Sequence, residues 1–221
     1  MKLEETSIYP YIKAFPDLHK LYRIPAGNVV VSPINNDEQD YVWFLVNGKV
    51  KVETEGTNGK KIIVDMLTED NYVGHLSNLF GHNFYCTTVT VITSTFIRIP
   101  SNQFREMINK DIRFQRHFNN KLISRLYTMY KKDLSLHLFS QREHIAAYII
   151  DHEVDGVCHL NNVKNSCEML RSSRRNFYNL LNKMEEDELI EHCEGGDIYI
   201  LNYDRLKQEA EALNNFFENS V

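Results

Sequence analysis

Cysteine is scarce and scattered in the 221-residue chain, standing only at Cys86, Cys158, Cys167 and Cys193. No two form a CxxC pair and none sits at ligand spacing from a histidine. A zinc or iron–sulfur site is therefore not expected, and four reduced thiols, no metal and no cofactor are. No P-loop, HExxH or nucleophile elbow occurs, and the nine histidines are dispersed, so no catalytic residue is assigned and an enzyme is not expected. Apolar runs such as "VWFLV" at 42–46 fall far short of the ~20 residues that cross a bilayer. The N-terminal "MKLEETSIYPYIKAF" carries acids where a signal peptide needs a basic start and an apolar stretch. A cytoplasmic protein with no membrane partner is expected. The formal charge of -5 excludes an all-over electrostatic grip on nucleic acid, yet leaves room for a small basic patch on an acidic body.

What is present falls into three textures. From about 20 to 100, "NVVV" (28–31), "YVWFLVNGKVKV" (41–52), "KKIIVDML" (60–67) and "TTVTVITSTFIRI" (87–99) are rich in β-branched and aromatic residues. Asn-Gly at 47–48 and at 58–59 marks hairpins, and short strands at regular spacing predict an antiparallel barrel or sandwich. Glycine and proline then vanish between Ser101 and Asp155, which predicts helices. Ser101 is placed to cap a short helix and Asp111 a long one. Along the long helix Phe114, Phe118, Leu122, Leu126 and Met129 form an apolar stripe. It can pack on its own barrel or serve as a two-helix dimer seam. The length of the helix, with basic and polar residues on its other faces, favours the seam, assigned to Phe118, Leu122, Leu126 and Met129. Beyond Ser140 come "SQREHIAAYIID", "NNVKNSCEML" and "RRNFYNLLNKMEEDE" as helices, then "LIEHCEGGDIYIL" as a hairpin around Glu194-Gly195-Gly196-Asp197. Helix, tight turn, helix and hairpin outline a winged helix-turn-helix.

Three arginines, Arg171, Arg174 and Arg175, gather where that last helix begins. With Ser173 as its cap, Phe177, Leu180, Leu181 and Met184 share an inward face. Arg174, Arg175, Tyr178 and Asn179 then point to solvent. A helix N-terminus favours anions, Ser172 and Ser173 offer hydroxyls to phosphate oxygens, and arginine in a major groove pairs with guanine. Glu185, Glu186, Asp187 and Glu188 lie at the far end. A DNA-contacting tip of Arg171, Ser172, Ser173, Arg174, Arg175, Tyr178 and Asn179 is expected. The plainer alternative is a solvated charged helix end.

With these pieces in order, the chain resembles the cAMP receptor protein/FNR (Crp/Fnr) superfamily of bacterial transcription regulators over nearly its whole length. The matching stretches are "RIPAGNVV", "YVWFLVNGKVKV", "GKKIIVDMLTEDNYVG", "ITSTFIRIP", "SSRRNFYNLLNKMEEDELIE" and "GGDIYI". The resemblance implies an α+β fold. It comprises an N-terminal antiparallel β-roll of the cyclic-nucleotide-binding type (1–110), a long dimerisation helix (111–138) and a C-terminal winged helix-turn-helix (139–221). It also implies a homodimer on near-palindromic double-stranded DNA, with RNA polymerase as a further partner if the protein activates.

The departures are informative. Members that bind cAMP carry Gly-Glu-Leu and, about ten residues on, an arginine for the cyclic phosphate. Here the first element is Gly74-His75-Leu76, the arginine position falls near Tyr85, and no arginine occurs between Gly74 and Ile97. A buried phosphate without a cation is costly, so a divergent member that does not bind cAMP is expected. An unidentified small effector would meet His75, Leu76, Asn78, Tyr85, Thr87 and Thr88. Haem, ligated by a pocket histidine in some relatives, has only His75 and His82 to offer. The cysteine group of the FNR cluster is missing, since no cysteine precedes Cys86. In the reading helix the family's glutamate is Arg175 and a second arginine is Asn179, so the half-site should differ from the cAMP receptor's. The turn, often glycine in the family, is Arg171. The competing expectation is a small-molecule-sensing module whose winged helix contacts protein, favoured by the acidic total and by "EEDE".

Overall fold

The computed structural model describes residues 2–32, 40–57, 59, 61–80, 85–160, 163, 166–167, 170–193 and 196–218. The chain folds as two units, Met1–Arg125 and Leu126–Val221. The division falls inside the long helix Ile112–Leu138.

Among the described residues the first unit has eight strands: β1 (Tyr22–Ile24), β2 (Val29–Val31), β3 (Tyr41–Asn47), β4 (Lys49–Glu55), β5 (Lys61–Thr68), β6 (Asn71–Val73), β7 (Thr87–Thr90) and β8 (Ser94–Pro100). They form two antiparallel sheets, β1-β8-β3-β6 and β2-β7-β4-β5. β3 reads as an unbroken apolar run because both its faces are covered. Val42, Phe44 and Val46 face one core, Trp43 and Leu45 the other. The second core lies between the sheets, where Trp43, Leu45 and Phe96 meet Val50, Val52 and Leu67. The first is closed by the N-terminal segment and by three helices: α1 (Tyr9–Ile12), α3 (Ser101–Lys110) and the start of α4 (Ile112–Leu138). Each fully buried aromatic such as Phe44 or Phe104 contributes about 2–3 kcal/mol of transfer free energy. The short α2 (His75–Phe80) follows β6.

The hairpin turn at Asn47-Gly48 joins β3 to β4. Gly48 has φ +122°, and a Cβ there would lie 2.3 Å from Ser94 Oγ. In the second Asn-Gly, Asn58 lies outside the described residues. The stretch 87–99, expected as one strand, is two. Its break at 91–93 carries the chain from one sheet to the other, with Val91 N donating to Lys49 O at 2.8 Å. Asp111 caps α4 as expected: its Oδ1 accepts from Arg113 N (2.9 Å) and Phe114 N (3.3 Å). Those bonds, the first above all, hold its carboxyl below the usual range. Ser101 is the first residue of α3, with Pro100 at the cap position.

The stripe on α4 divides. Phe114 and Phe118 are buried in the core of their own unit and Leu122 packs against it, so two of the four residues assigned to a seam are spoken for. The exposed apolar stripe lies roughly 160° round the helix, nearly opposite that face. It consists of Ile123, Tyr127, Tyr130, Leu134 and Leu138, 50–64% exposed, flanked by Leu126. The upstream phenylalanines had suggested that one stripe ran the length of the helix. In fact the helix has one apolar face for its own barrel and a second that is exposed among the described residues.

The second unit contains α5 (Gln141–His152), α6 (Arg174–Glu186), α7 (Tyr203–Glu218) and a sheet ordered β11-β12-β10-β9. Its strands are β9 (Glu153–Val154), β10 (Val157–His159), β11 (Ile190–His192) and β12 (Asp197–Ile200). The β11–β12 hairpin was expected, though Glu194 and Gly195 of its turn lie outside the described residues. β9, β10 and α7 were not foreseen. Ser140 closes a capping box with Glu143 at the start of α5. Of the helix expected before α6, Val163, Ser166 and Cys167 are helical. Ile145, Ile149, Phe177, Leu181, Met184, Ile198, Leu206 and Leu213 share one core. Arg142 ties three elements, holding Glu209 of α7 bidentately (2.7 Å each) and Asp187 at the end of α6 (2.7 Å).

Candidate nucleic-acid interface and effector pocket

α6 begins where the sequence predicted. Ser173 is its cap, accepting from Asn176 N at 3.2 Å. Phe177, Leu181 and Met184 are buried, and Leu180 packs beside them. Arg174, Arg175 and Asn179 are exposed, and none has a hydrogen bond or ion pair among the described residues. Tyr178 is exposed and tilts towards His192 on β11, ring centroids 6.5 Å apart. Two guanidiniums thus project from the start of a capped helix, where the helix dipole adds to their positive field. The acids stand about 18 Å away along the axis. Two of them are occupied, Asp187 by Arg142 and Glu185 by the amide of His192.

The remaining members of the expected tip are engaged within the chain. Arg171, at φ +49°, places Nη1 3.1 Å from Asp133 Oδ1. Ser172 Oγ donates to Gln141 Oε1 at 2.9 Å. Asn176, unassigned from the sequence, donates to the same oxygen.

Three of the six residues expected to meet an effector, His75, Leu76 and Thr88, line a cavity of about 50 Å³ in the first unit, together with Ser77, Cys86 and Arg125. Asn78 is turned to the backbone, donating to Tyr41 O and Gly74 O. Tyr85 is 83% exposed, and Thr87 is half-buried on β7 without lining the cavity. His82 lies outside the described residues. Arg125 arrives from α4, 28 residues beyond the Gly74–Ile97 stretch that lacks an arginine, so no local pattern marks it. Its Nε is 2.8 Å from Asp65 Oδ2, so its charge is already answered. His75 is 3% exposed and stacks edge-on to Phe118 at 5.7 Å. Burial, and then the charge of Arg125, depress its pKa to about 3, so the imidazole is neutral. Burial pushes the Cys86 thiol up, which makes it a poor nucleophile.

Residues 23–111 match the cyclic nucleotide-binding domain. No curated protein matches the sequence. Among solved structures, a crp/fnr-family protein from Eubacterium rectale superposes with a TM-score of 0.76 at 12% identity, over 93% of this chain and 98% of that one. The c-di-GMP-responsive global regulator CLP of Xanthomonas campestris does so at 0.69 and 15%, over 87% and 99%. A CRP/FNR-family transcriptional regulator from Thermus thermophilus does so at 0.66 and 17%, over 87% and 98%. The first unit is therefore similar to a cyclic nucleotide-binding domain over residues 23–111. The architecture of the chain is the α+β fold of solved Crp/Fnr transcription regulators.

Proposed function

We propose that this protein is a sequence-specific, DNA-binding transcription regulator of the Crp/Fnr type, acting as a homodimer on a near-palindromic site. The observation that carries the reading is the pair Arg174 and Arg175, exposed and without partners among the described residues at the capped start of α6. Arginine there offers only donors, suited to guanine O6 and N7 or to phosphate. Asn179, one turn on, suits adenine. Dimerisation uses the uncovered stripe of α4, and two tips one DNA turn apart read two half-sites.

The β-roll does not take cyclic nucleotides in the family's manner. A neutral, buried imidazole stands where the family has its ribose-binding glutamate, and Arg125 is held by Asp65, whose carboxylate would repel a phosphate. The cavity has room for a few waters, against the ~300 Å³ or more of ordinary ligand sites. An effector held within this cavity as it stands among the described residues would be smaller than a nucleotide.

Selection of duplexes from a random pool at physiological salt tests the reading. Enrichment of a near-palindrome is expected, and retention without sequence preference would refute it. Cyclic AMP should leave the melting temperature unchanged.

A further inference from the structure

Arg171 occupies a backbone conformation that disfavours any residue with a Cβ, and glycine would hold the same turn without that cost. What arginine adds is a guanidinium, and its Nη1 lies 3.1 Å from Asp133 on α4. On the other side of the turn Gln141, the first residue of α5, gathers three groups. Its Oε1 accepts from Ser172 Oγ at 2.9 Å and from Asn176 Nδ2, and its Nε2 donates to Arg171 O at 3.4 Å. Asp133 and Gln141 bracket the junction where α4 ends at Leu138 and α5 begins. The turn and the first turn of α6 are thus strapped to both sides of that junction.

Resting on the DNA reading above, we infer that Arg171, Ser172 and Asn176 are positioning residues. They fix the tip of α6 to Asp133 and Gln141, and they do not themselves grip the duplex. The contact face of the tip then narrows to Ser173, Arg174, Arg175, Tyr178 and Asn179. The orientation of the tip follows the end of α4, the helix whose exposed stripe is assigned to the dimer. Gln141 is the stronger strap, because it is half-buried and serves three groups. The Asp133–Arg171 pair is exposed, and such pairs are individually weak.

The test uses the full-length chain in two measurements. The first needs no DNA: hydrogen exchange at the amides of Ser172, Asn176 and Phe177, which bond to Cys167 O, Ser173 Oγ and Ser173 O. Gln141→Ala should speed exchange at these three amides severalfold and leave α7 unchanged. Arg174→Ala should change neither. The second measures binding to the duplex that the wild type selects, across a salt series. Gln141→Ala should weaken binding about tenfold, as expected for lost neutral hydrogen bonds, with no change in salt slope. Asp133→Ala and Arg171→Ala should each weaken it about threefold, and the double variant no further than either single one. Arg171 would instead be a phosphate contact if Arg171→Ala lowered the salt slope by about one, or if Asp133→Ala tightened binding. Either result overturns the inference, as does unchanged exchange in Gln141→Ala. If no duplex is selected, the DNA reading falls, and the exchange measurement alone decides whether the strap exists.

Discussion

If the chain pairs through α4 as proposed, Leu134→Asp should dissociate that dimer without unfolding either unit. Leu134 is 50% exposed in the single chain and belongs to none of the three cores. Its neighbours along the stripe, Ile123, Tyr127, Tyr130 and Leu138, are 51–64% exposed. Full burial of a leucine is worth about 1.5–3 kcal/mol, so covering the exposed half of Leu134 contributes about 1 kcal/mol. A two-fold interface contains the residue twice, and the variant loses about 2 kcal/mol of apolar burial. Each new carboxylate, brought against a partner's apolar stripe, adds at least about 1 kcal/mol of desolvation. The total of about 4 kcal/mol corresponds to roughly a thousandfold in the dimer dissociation constant. Sedimentation equilibrium over micromolar concentrations reads this directly, with thermal unfolding as the control for the intact units. A wild-type chain that stays single at about 100 µM, or a variant that assembles as the wild type does, would refute the reasoning.

Two further outcomes follow from ionisable groups of the first unit. His75 titrates near 3 in the folded chain against about 6.5 when unfolded. Between those values the unfolded state holds the extra proton, so acid removes stability on the order of 1 kcal/mol per pH unit. His75→Phe should flatten that slope in urea melts run from pH 7 to 4. Asp70 accepts from Ser7 N at 2.8 Å and pairs with Lys121. Burial alone would raise its pKa, but these bonds outweigh it and the net shift is down. Asp70→Asn keeps a residue that tolerates the local φ of +66°. It should cost about 1–2 kcal/mol at pH 7. The wild type's advantage, present above the unfolded carboxyl's pKa, should fade as pH falls through the lower folded value.

Much of the fold could be read from the chain because local signals and burial agree. Asn47-Gly48 made the hairpin, and the apolar run of β3 was a strand buried on both faces. Ser173 with Phe177, Leu181 and Met184 set both the start and the inward face of α6. What escaped depended on contacts distant in sequence. Arg125 reaches the pocket from another element, and Gln141 meets the turn thirty residues before it. β9 and β10 are too short to show alternation, and they exist because β12 pairs with β10 and β10 with β9. The stripe on α4 misled for a different reason. Phe114, Phe118 and Leu122 share a helical period with residues downstream, and period alone does not say which face a barrel will occupy. Arg171, Arg174 and Arg175 formed one cluster by composition, and only geometry separated the arginine bound to Asp133 from the two that have no side-chain partner among the described residues.

The most direct test of the account compares the wild type with Arg174→Ala/Arg175→Ala on the selected duplex, titrated with salt. Two lost guanidinium contacts should cost about 2–6 kcal/mol if both reach base edges. If both reach phosphates, the salt slope should fall by about two. An affinity and a slope that match the wild type's would contradict the claim that this helix tip reads DNA.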